Sequence, residues 1–264
     1  MTSFENQAAL QIEAKARPFK VGPGPVPTPR KMKSSSRFKL GQRVIGHCDG
    51  LLTKKPTNNA FQAYSTCREV LMAEVPDSLP LANAAVLPLG FSTAASGLYI
   101  NLKLPLPSLD PKPTGKKILI WGAWERLIFD HRDPEAVPKI KAILRPGDVV
   151  YDCISTADTQ AKCNDIFAHI GGRGSLPLVL PPQGTFAENV VPEYVNGLAP
   201  GMTHPEIGDG TWRKFLGQAL AAGKFQAKPD PKVITGGLEK IQEGVDLLKK
   251  GVSATKIVVE ISKE

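Results

Sequence analysis

The sequence predicts a mixed α/β fold, with a parallel sheet in residues 116–182 and a β-rich remainder around it. Three observations predict it. Short apolar runs such as Ile118-Leu119-Ile120-Trp121 and Val149-Val150-Tyr151 show no polar alternation, the pattern of strands covered on both faces. Helix-like stretches at 134–144 and 158–170 separate such runs, so strand and helix alternate. Outside this region, short alternating stretches are broken repeatedly by glycine and proline.

In chain order, 7–21 reads as an extended hairpin, and the breaker-rich GPGPVPTPR follows it. RKMKSSSRF has no periodicity and reads as a connector. A strand is expected at 43–46 after the Gly41 turn, another at 60–67 from the alternation of AFQAYSTC, and a third in EVLMAEVP. The Ala-rich stretch 81–102 is expected to form two short helices broken at Pro88-Leu89-Gly90, with Ser92-Thr93 at a helix N-terminus. The parallel strands are expected at 117–121, 127–129, 149–153 and 178–180, joined by right-handed crossovers. Gly171-Gly172-Arg173-Gly174 precedes a strand and reads as a turn. Helices at 210–223 and 236–251 and a strand at 255–261 complete the chain, and the tail is expected to join the β-rich part.

Composition narrows the function classes. The 264 residues are 42% hydrophobic, enough for one large domain or two modest ones. The net charge of +8 is scattered and not interleaved with aromatic residues, so nucleic acid is not an expected partner. The longest unbroken apolar runs are strand-sized, and no membrane association is expected. MTSFENQAAL lacks the basic start and apolar centre of a secretory signal, so the expected location is cytoplasmic. The four cysteines form no CxxC, and His47-Cys48 is a soft pair without spaced partners. No metal site is expected.

Specific words then carry a resemblance. FKLGQRVIGH, NAFQAYSTCREVLMAEVPDSL, the long block AAVLPLGFSTAASGLYINLKLPLPSLDPKPTGKKILIWGA and the closing ITGGLEKIQEGVDLLKKGVSATKIVVEI together resemble the zinc-free branch of the medium-chain dehydrogenase/reductases. Within it they resemble the stand-alone, trans-acting enoyl reductases of fungal polyketide biosynthesis, with LPLPSLDPKP the most specific phrase. The resemblance implies an incomplete Rossmann-like parallel sheet plus a partial GroES-like β-rich domain. Residues 1–96 and 236–264 would form the latter, and 97–235 the truncated nucleotide-binding domain. It implies a monomer that reduces an α,β-unsaturated polyketide with NADPH. The implied partner is a polyketide synthase acyl carrier domain or its tethered substrate. Carried over by resemblance, His131, Val179, Leu180, Val258 and Val259 face the cofactor. Leu87, Pro88, Leu89, Gly90, Phe91, Ser92, Thr93 and Ala94 face the substrate, with hydroxyls near Ser92-Thr93 beside the developing enolate oxygen. No residue stands out as a catalytic acid.

Two segments of the family pattern are absent, one after Pro29-Arg30 and one after Trp121-Gly122-Ala123. The second would hold the glycine turn, its helix and the ribose-selecting strand, and no GxGxxG follows Ile120. NADPH binding is therefore expected to be weak. This leaves two other readings: a degenerate, non-catalytic relative that keeps only a substrate- or carrier-facing surface, and a quinone-type oxidoreductase, which LPLPSLDPKP disfavours. The metal expectation is checked directly: elemental analysis of purified protein should find no stoichiometric zinc, because His47 and Cys48 fall short of the four ligands a closed site needs.

Overall fold

The computed structural model describes residues 5–10, 17–26, 37–122 and 129–262. Strands β1 (Gln7–Leu10) and β2 (Lys20–Pro23) pair antiparallel, with Ala9 opposite Val21. β3 (Val44–Gly46) is followed by the one-turn helix α1 (Gly50–Thr53), and β4 (Met72–Glu74) returns antiparallel to β3. Helices α2 (Leu81–Ala84) and α3 (Pro88–Ala95) come next, and α3 runs on as a π-helical turn, Ser96–Asn101. The α/β part runs β5 (Ile118–Trp121), α4 (Ala136–Ile143), β6 (Val149–Asp152), α5 (Ala157–Ile170), β7 (Gly174–Leu178) and β8 (Val190–Tyr194). Short helices α6 (Ala199–Met202) and α7 (Pro205–Gly208) lead to a π-helical stretch, Asp209–Leu216, continued by α8 (Gly217–Ala221). β9 (Pro231–Thr235), α9 (Ile241–Lys249) and β10 (Lys256–Glu260) follow.

The chain divides into two compact units, one of residues 1–92 with 208–264 and the other of residues 93–207. Sequence reasoning placed the divisions at 96/97 and 235/236, so residues 208–235 here group with the front unit instead.

The second unit is built on one four-stranded sheet, all parallel, in the order β5-β6-β7-β8. Residue alternation along each strand sends its two sets of side chains to opposite faces. Val150, Leu176 and Leu178 turn to α5, where they pack in full burial with Cys163 and Ile166. Ile140 of α4 and Phe129 join the same core. On the other face Tyr151 lies flat against Gly97, where any Cβ would collide with its ring, and its hydroxyl donates to the Thr93 carbonyl at 3.0 Å. The Thr156 hydroxyl caps α5 by accepting the Thr159 N–H.

Among the described residues, the first unit has three two-stranded sheets. The β1–β2 hairpin packs on the tail through Ala9, Phe19 and Val21 against Leu238, Ile241, Val245, Val259 and Ile261. β9 and β10 are parallel and α9 is the helix between them, with Gly244 allowing close approach to Val259. Elsewhere Trp212 is fully buried, edge-on to Phe91, with its indole N–H donated to Ser92 Oγ at 3.0 Å.

Several expectations are corrected. Residues 60–67 form no strand, only a single bridge between Ala8 and Gln62. The alternation misled because polar Gln62 is the buried residue, its Nε2 donating to the carbonyls of Pro56, Thr57 and Asn59, while Phe61 and Tyr64 are exposed. Pro88 opens α3 rather than breaking a helix, which puts Ser92 and Thr93 in its interior. The strand expected at 178–180 is Gly174–Leu178, and it ends where Val179 N–H turns to Ser155 Oγ. The expected strand at 127–129 lies mostly outside the described residues, and Phe129 itself is not in a strand. β8 and β9 were not anticipated, because Pro192 and Pro231 argue against strands. Pro192 is tolerated on a strand bonded on one side only, and Pro231 at a strand's first position.

By length and composition, Leu81–Asn101 is apolar enough to cross a membrane, with mean hydropathy 1.3 over its 18-residue window. Its turn between α2 and α3 and its buried residues Ala84, Val86, Leu87, Ser92 and Ala95 fit a core element equally well.

The sheet core sets a stability test. Leu176→Ala should cost about 2–5 kcal/mol, read as a lower urea midpoint, because Leu176 is fully buried between sheet and α5.

Candidate functional site

Parallel strands end on one edge, and ligands of open parallel sheets bind outside their carboxyl ends. Here that edge comprises Trp121-Gly122, residues 152–155, residues 178–180 and Tyr194. Its organising group is Asp152, whose carboxylate is fully buried. Oδ1 accepts the Ile154 and Ser155 N–H groups at 3.0 and 2.8 Å, and Oδ2 accepts the Thr159 hydroxyl at 2.8 Å. These bonds fold the chain back sharply, and Ser155 takes a left-handed conformation (φ 56°) that non-glycine residues rarely adopt.

Ser155 then joins two strands. Its Oγ donates to the Asp152 carbonyl at 2.9 Å and accepts the Val179 N–H at 2.8 Å. Gln160, buried at the start of α5, extends the link. Its Nε2 donates to the carbonyls of Ser155 and Pro181, and its Oε1 accepts the Gln183 N–H. The ends of β6 and β7 and the first turns of α5 are thus one hydrogen-bonded body. Outside it, Ile154, Leu180 and Tyr194 are 43%, 44% and 56% exposed. Burial pushes the neighbouring Cys153 thiol up to about 12, so it stays protonated.

The sequence-derived residues fall into two groups. Val179 and Leu180 lie on this edge. His131 belongs to the same unit but sits on a surface loop before α4, its ring 73% exposed and 3.9 Å from Asp130. Asp130 itself is held down to about 2 by its hydrogen bond from Arg132. Thr93 and Ala94, on α3, also group with this unit. Val258 and Val259 belong to the other unit, in the middle of β10 and half-buried. Leu87, Pro88, Leu89, Gly90, Phe91 and Ser92 group with them. Leu87 is buried and Leu89 is exposed, while Phe91 stacks edge-on against Trp212 and Phe225. The Ser92 hydroxyl is wholly buried and already occupied by Trp212. Sequence reasoning passed over Asp152, Ser155 and Gln160. The available signal was a strand ending in aspartate, followed by Ser-Thr and a helix.

Testing a dinucleotide against this edge separates its two ends. Leu180, exposed on this edge, offers one apolar contact to a ring. The diphosphate has no comparable cradle among the described residues. At the end of β5 the position in front of Gly122 is filled by the chain's own Ile154. Only residues 122–135 separate β5 from α4, and β5 has no described strand on its outer side. A parallel crossover with its helix takes a dozen or more residues, so a further strand-helix-strand cannot fit there. The described residues do not supply a site for a whole dinucleotide.

A parallel sheet with helices in one unit, and β-paired segments from both ends of the chain in the other, is the arrangement of the medium-chain dehydrogenase/reductase fold. Two solved structures share the fold. The CurK enoyl reductase matches with a TM-score of 0.61 at 17% identity, over 86% of this chain and 74% of its own. A benzyl alcohol dehydrogenase from Acinetobacter calcoaceticus matches at 0.52 and 16%, over 86% and 79%. No protein-family model matches the chain. Among curated proteins, the trans-enoyl reductase himH of Aspergillus japonicus is 46% identical, with 100% of this chain and 99% of himH covered. The dehydrogenase orsE of Emericella nidulans is 30% identical over 85% of this chain and 78% of its own. The enoyl reductase component lovC of the Aspergillus terreus lovastatin nonaketide synthase is 26% identical over 86% and 77%. The chain belongs to the fungal trans-enoyl reductase family. The himH alignment spans 341 positions against 264 residues here, so at least 77 positions of himH have no counterpart, and they fall inside the chain.

The Asp152 network predicts a measurable loss. Asp152→Ala removes an acceptor for three donors and should cost about 2–4 kcal/mol. Hydrogen exchange at the Ser155 and Val179 amides should rise with it.

Proposed function

We propose that the chain serves trans-acting enoyl reduction in fungal secondary metabolism. The substrate is an α,β-unsaturated polyketide intermediate on an acyl carrier domain, and NADPH is the hydride donor. The observation that carries this reading is the 46% identity to himH across the whole chain. The carboxyl edge supports it, since the Asp152–Ser155–Gln160 body orders the end of β7, including Val179, at the edge where parallel sheets bind ligands. GroES-like character of the front unit, a cytoplasmic site of action and a monomeric state belong to the same reading.

Among the described residues the nucleotide's diphosphate finds no glycine turn leading into a helix at the end of β5. A glycine turn and helix N-terminus normally offer several charge-assisted hydrogen bonds, each worth about 1.5–3 kcal/mol. Losing three costs about 4–9 kcal/mol, which moves a micromolar site to millimolar or weaker. Exposed lysines at 112, 116 and 117 restore little, since salt screens them. The second reading, a non-catalytic relative that keeps a substrate- or carrier-facing surface, rests on that loss alone and is not favoured by the identity to himH.

Calorimetric titration with NADPH, paired with an assay of double-bond reduction in an enoyl thioester, tests both. The expected dissociation constant is about 1 mM or weaker, with reduction only at saturating nucleotide. Micromolar affinity would overturn the inference about the diphosphate. No reduction at saturating nucleotide would move the chain to the second reading.

A further inference from the structure

Cys48 and Cys67 take no part in the site described above. Cys48 follows β3, and Cys67 precedes the 3₁₀ turn Glu69–Leu71 that enters β4. Antiparallel pairing sets Gly46 opposite Met72 and donates the His47 N–H to the Leu71 carbonyl at 3.0 Å, which draws the two cysteines together. Their sulphurs are 3.2 Å apart and both residues are half-buried. Glycine at position 46 is part of the arrangement, because a Cβ there would come within 3.0 Å of the Cys67 sulphur.

The following residues repeat the approach: the buried Asp49 carboxylate accepts the Arg68 guanidinium. Between the cysteines, residues 49–66 are already ordered by polar bonds. Asp49 also accepts from Asn58 at 2.6 Å, and Gln62 holds three backbone carbonyls. Joining the sulphurs would close a loop whose ends and interior are in place.

We propose that Cys48 and Cys67 are a redox modification site, forming a reversible intramolecular disulfide. Bond formation needs the sulphurs to close by about 1.1 Å, to the ~2.05 Å of an S–S bond. The oxidant is a low-molecular-weight disulfide of the glutathione class. Cys48 thiolate attacks one of its sulphurs and releases the first thiol. Cys67 thiolate then attacks the Cys48 sulphur of the mixed disulfide and releases the second. Two protein S–H bonds are lost and one S–S bond is gained, while the oxidant is reduced to two thiols that carry the two protons. The order of attack follows from the environments. The hydrogen bond between the two holds the Cys48 thiol below its ordinary value, and that bond with burial pushes Cys67 up. Cys153 and Cys163 are pushed up by burial and serve as internal controls.

The test equilibrates the full chain in glutathione buffers of rising oxidised fraction, alkylates the free thiols and maps peptides by mass. One link, Cys48 to Cys67, is expected within single chains, reversed by dithiothreitol. It should raise the thermal midpoint by several degrees over the reduced chain, since closing a loop restricts the unfolded state. C48S and C67S should each abolish the link, and C153S should keep it. If a serine variant fails to fold, the map of the unsubstituted chain decides alone. The proposal is overturned if both thiols remain alkylatable in the most oxidising buffer. It is equally overturned if glutathione stays on Cys48, or if the link joins Cys153, Cys163 or a second chain.

Discussion

A fully buried carboxylate persists only where hydrogen bonds replace its lost water, and at Asp152 that requirement shapes the carboxyl edge of the sheet. Its three donors come from the residues immediately downstream, so satisfying the charge folds those residues into a tight turn. The turn forces Ser155 into the left-handed region, at a cost that the surrounding bonds offset. In that conformation the Ser155 hydroxyl faces both the Asp152 carbonyl and the Val179 amide. Without it, β6 and β7 would be joined at their ends by little, since Asp152 and Leu178 are their one paired position in register.

The two units are held by different means. In the α/β unit a single apolar layer between the sheet and α4–α5 dominates, with Val150, Cys163, Ile166, Leu176 and Leu178 excluded from water together. The front-and-tail unit has short strands that could not stand alone. It combines a small apolar cluster around Leu238 and Ile241 with an aromatic group around Trp212 and buried polar residues such as Asn6, whose amide donates to Pro25, Gln62 and Tyr64. Polar burial of this sort fixes a particular arrangement, because each group left unpaired is costly.

How much was legible in the sequence follows from which signal each element emits. β5 and β6 emit a strong one, uninterrupted apolar runs, and were read within a residue or so. α5 was read almost as closely, as 158–170 against the observed Ala157–Ile170. β8 and β9 carry prolines whose tolerance depends on edge or terminal position, which pairing decides and local sequence does not show. Residues 60–67 failed for a related reason: alternation predicts a strand only if the apolar set faces inward, and Gln62 reversed it. At the candidate site, Val179 and Leu180 were accessible through family words. Asp152 and Ser155 were not, because the role of a buried aspartate appears only when its donors are placed around it.

The brief passage from β5 to β6 carries a consequence for the order in which the chain assembles. Those strands are direct neighbours, so the segment between them acts as a tether whose length sets the entropy of closing the pair. Here the tether is residues 122–148, which include α4. Tether entropy changes slowly with length, about 0.6 kcal/mol per doubling. The kinetic effect is of the same sign, since contacts nearer in sequence form sooner. Whatever the shortened crossover takes from nucleotide binding, it gives the β5–β6 pair an earlier start in folding.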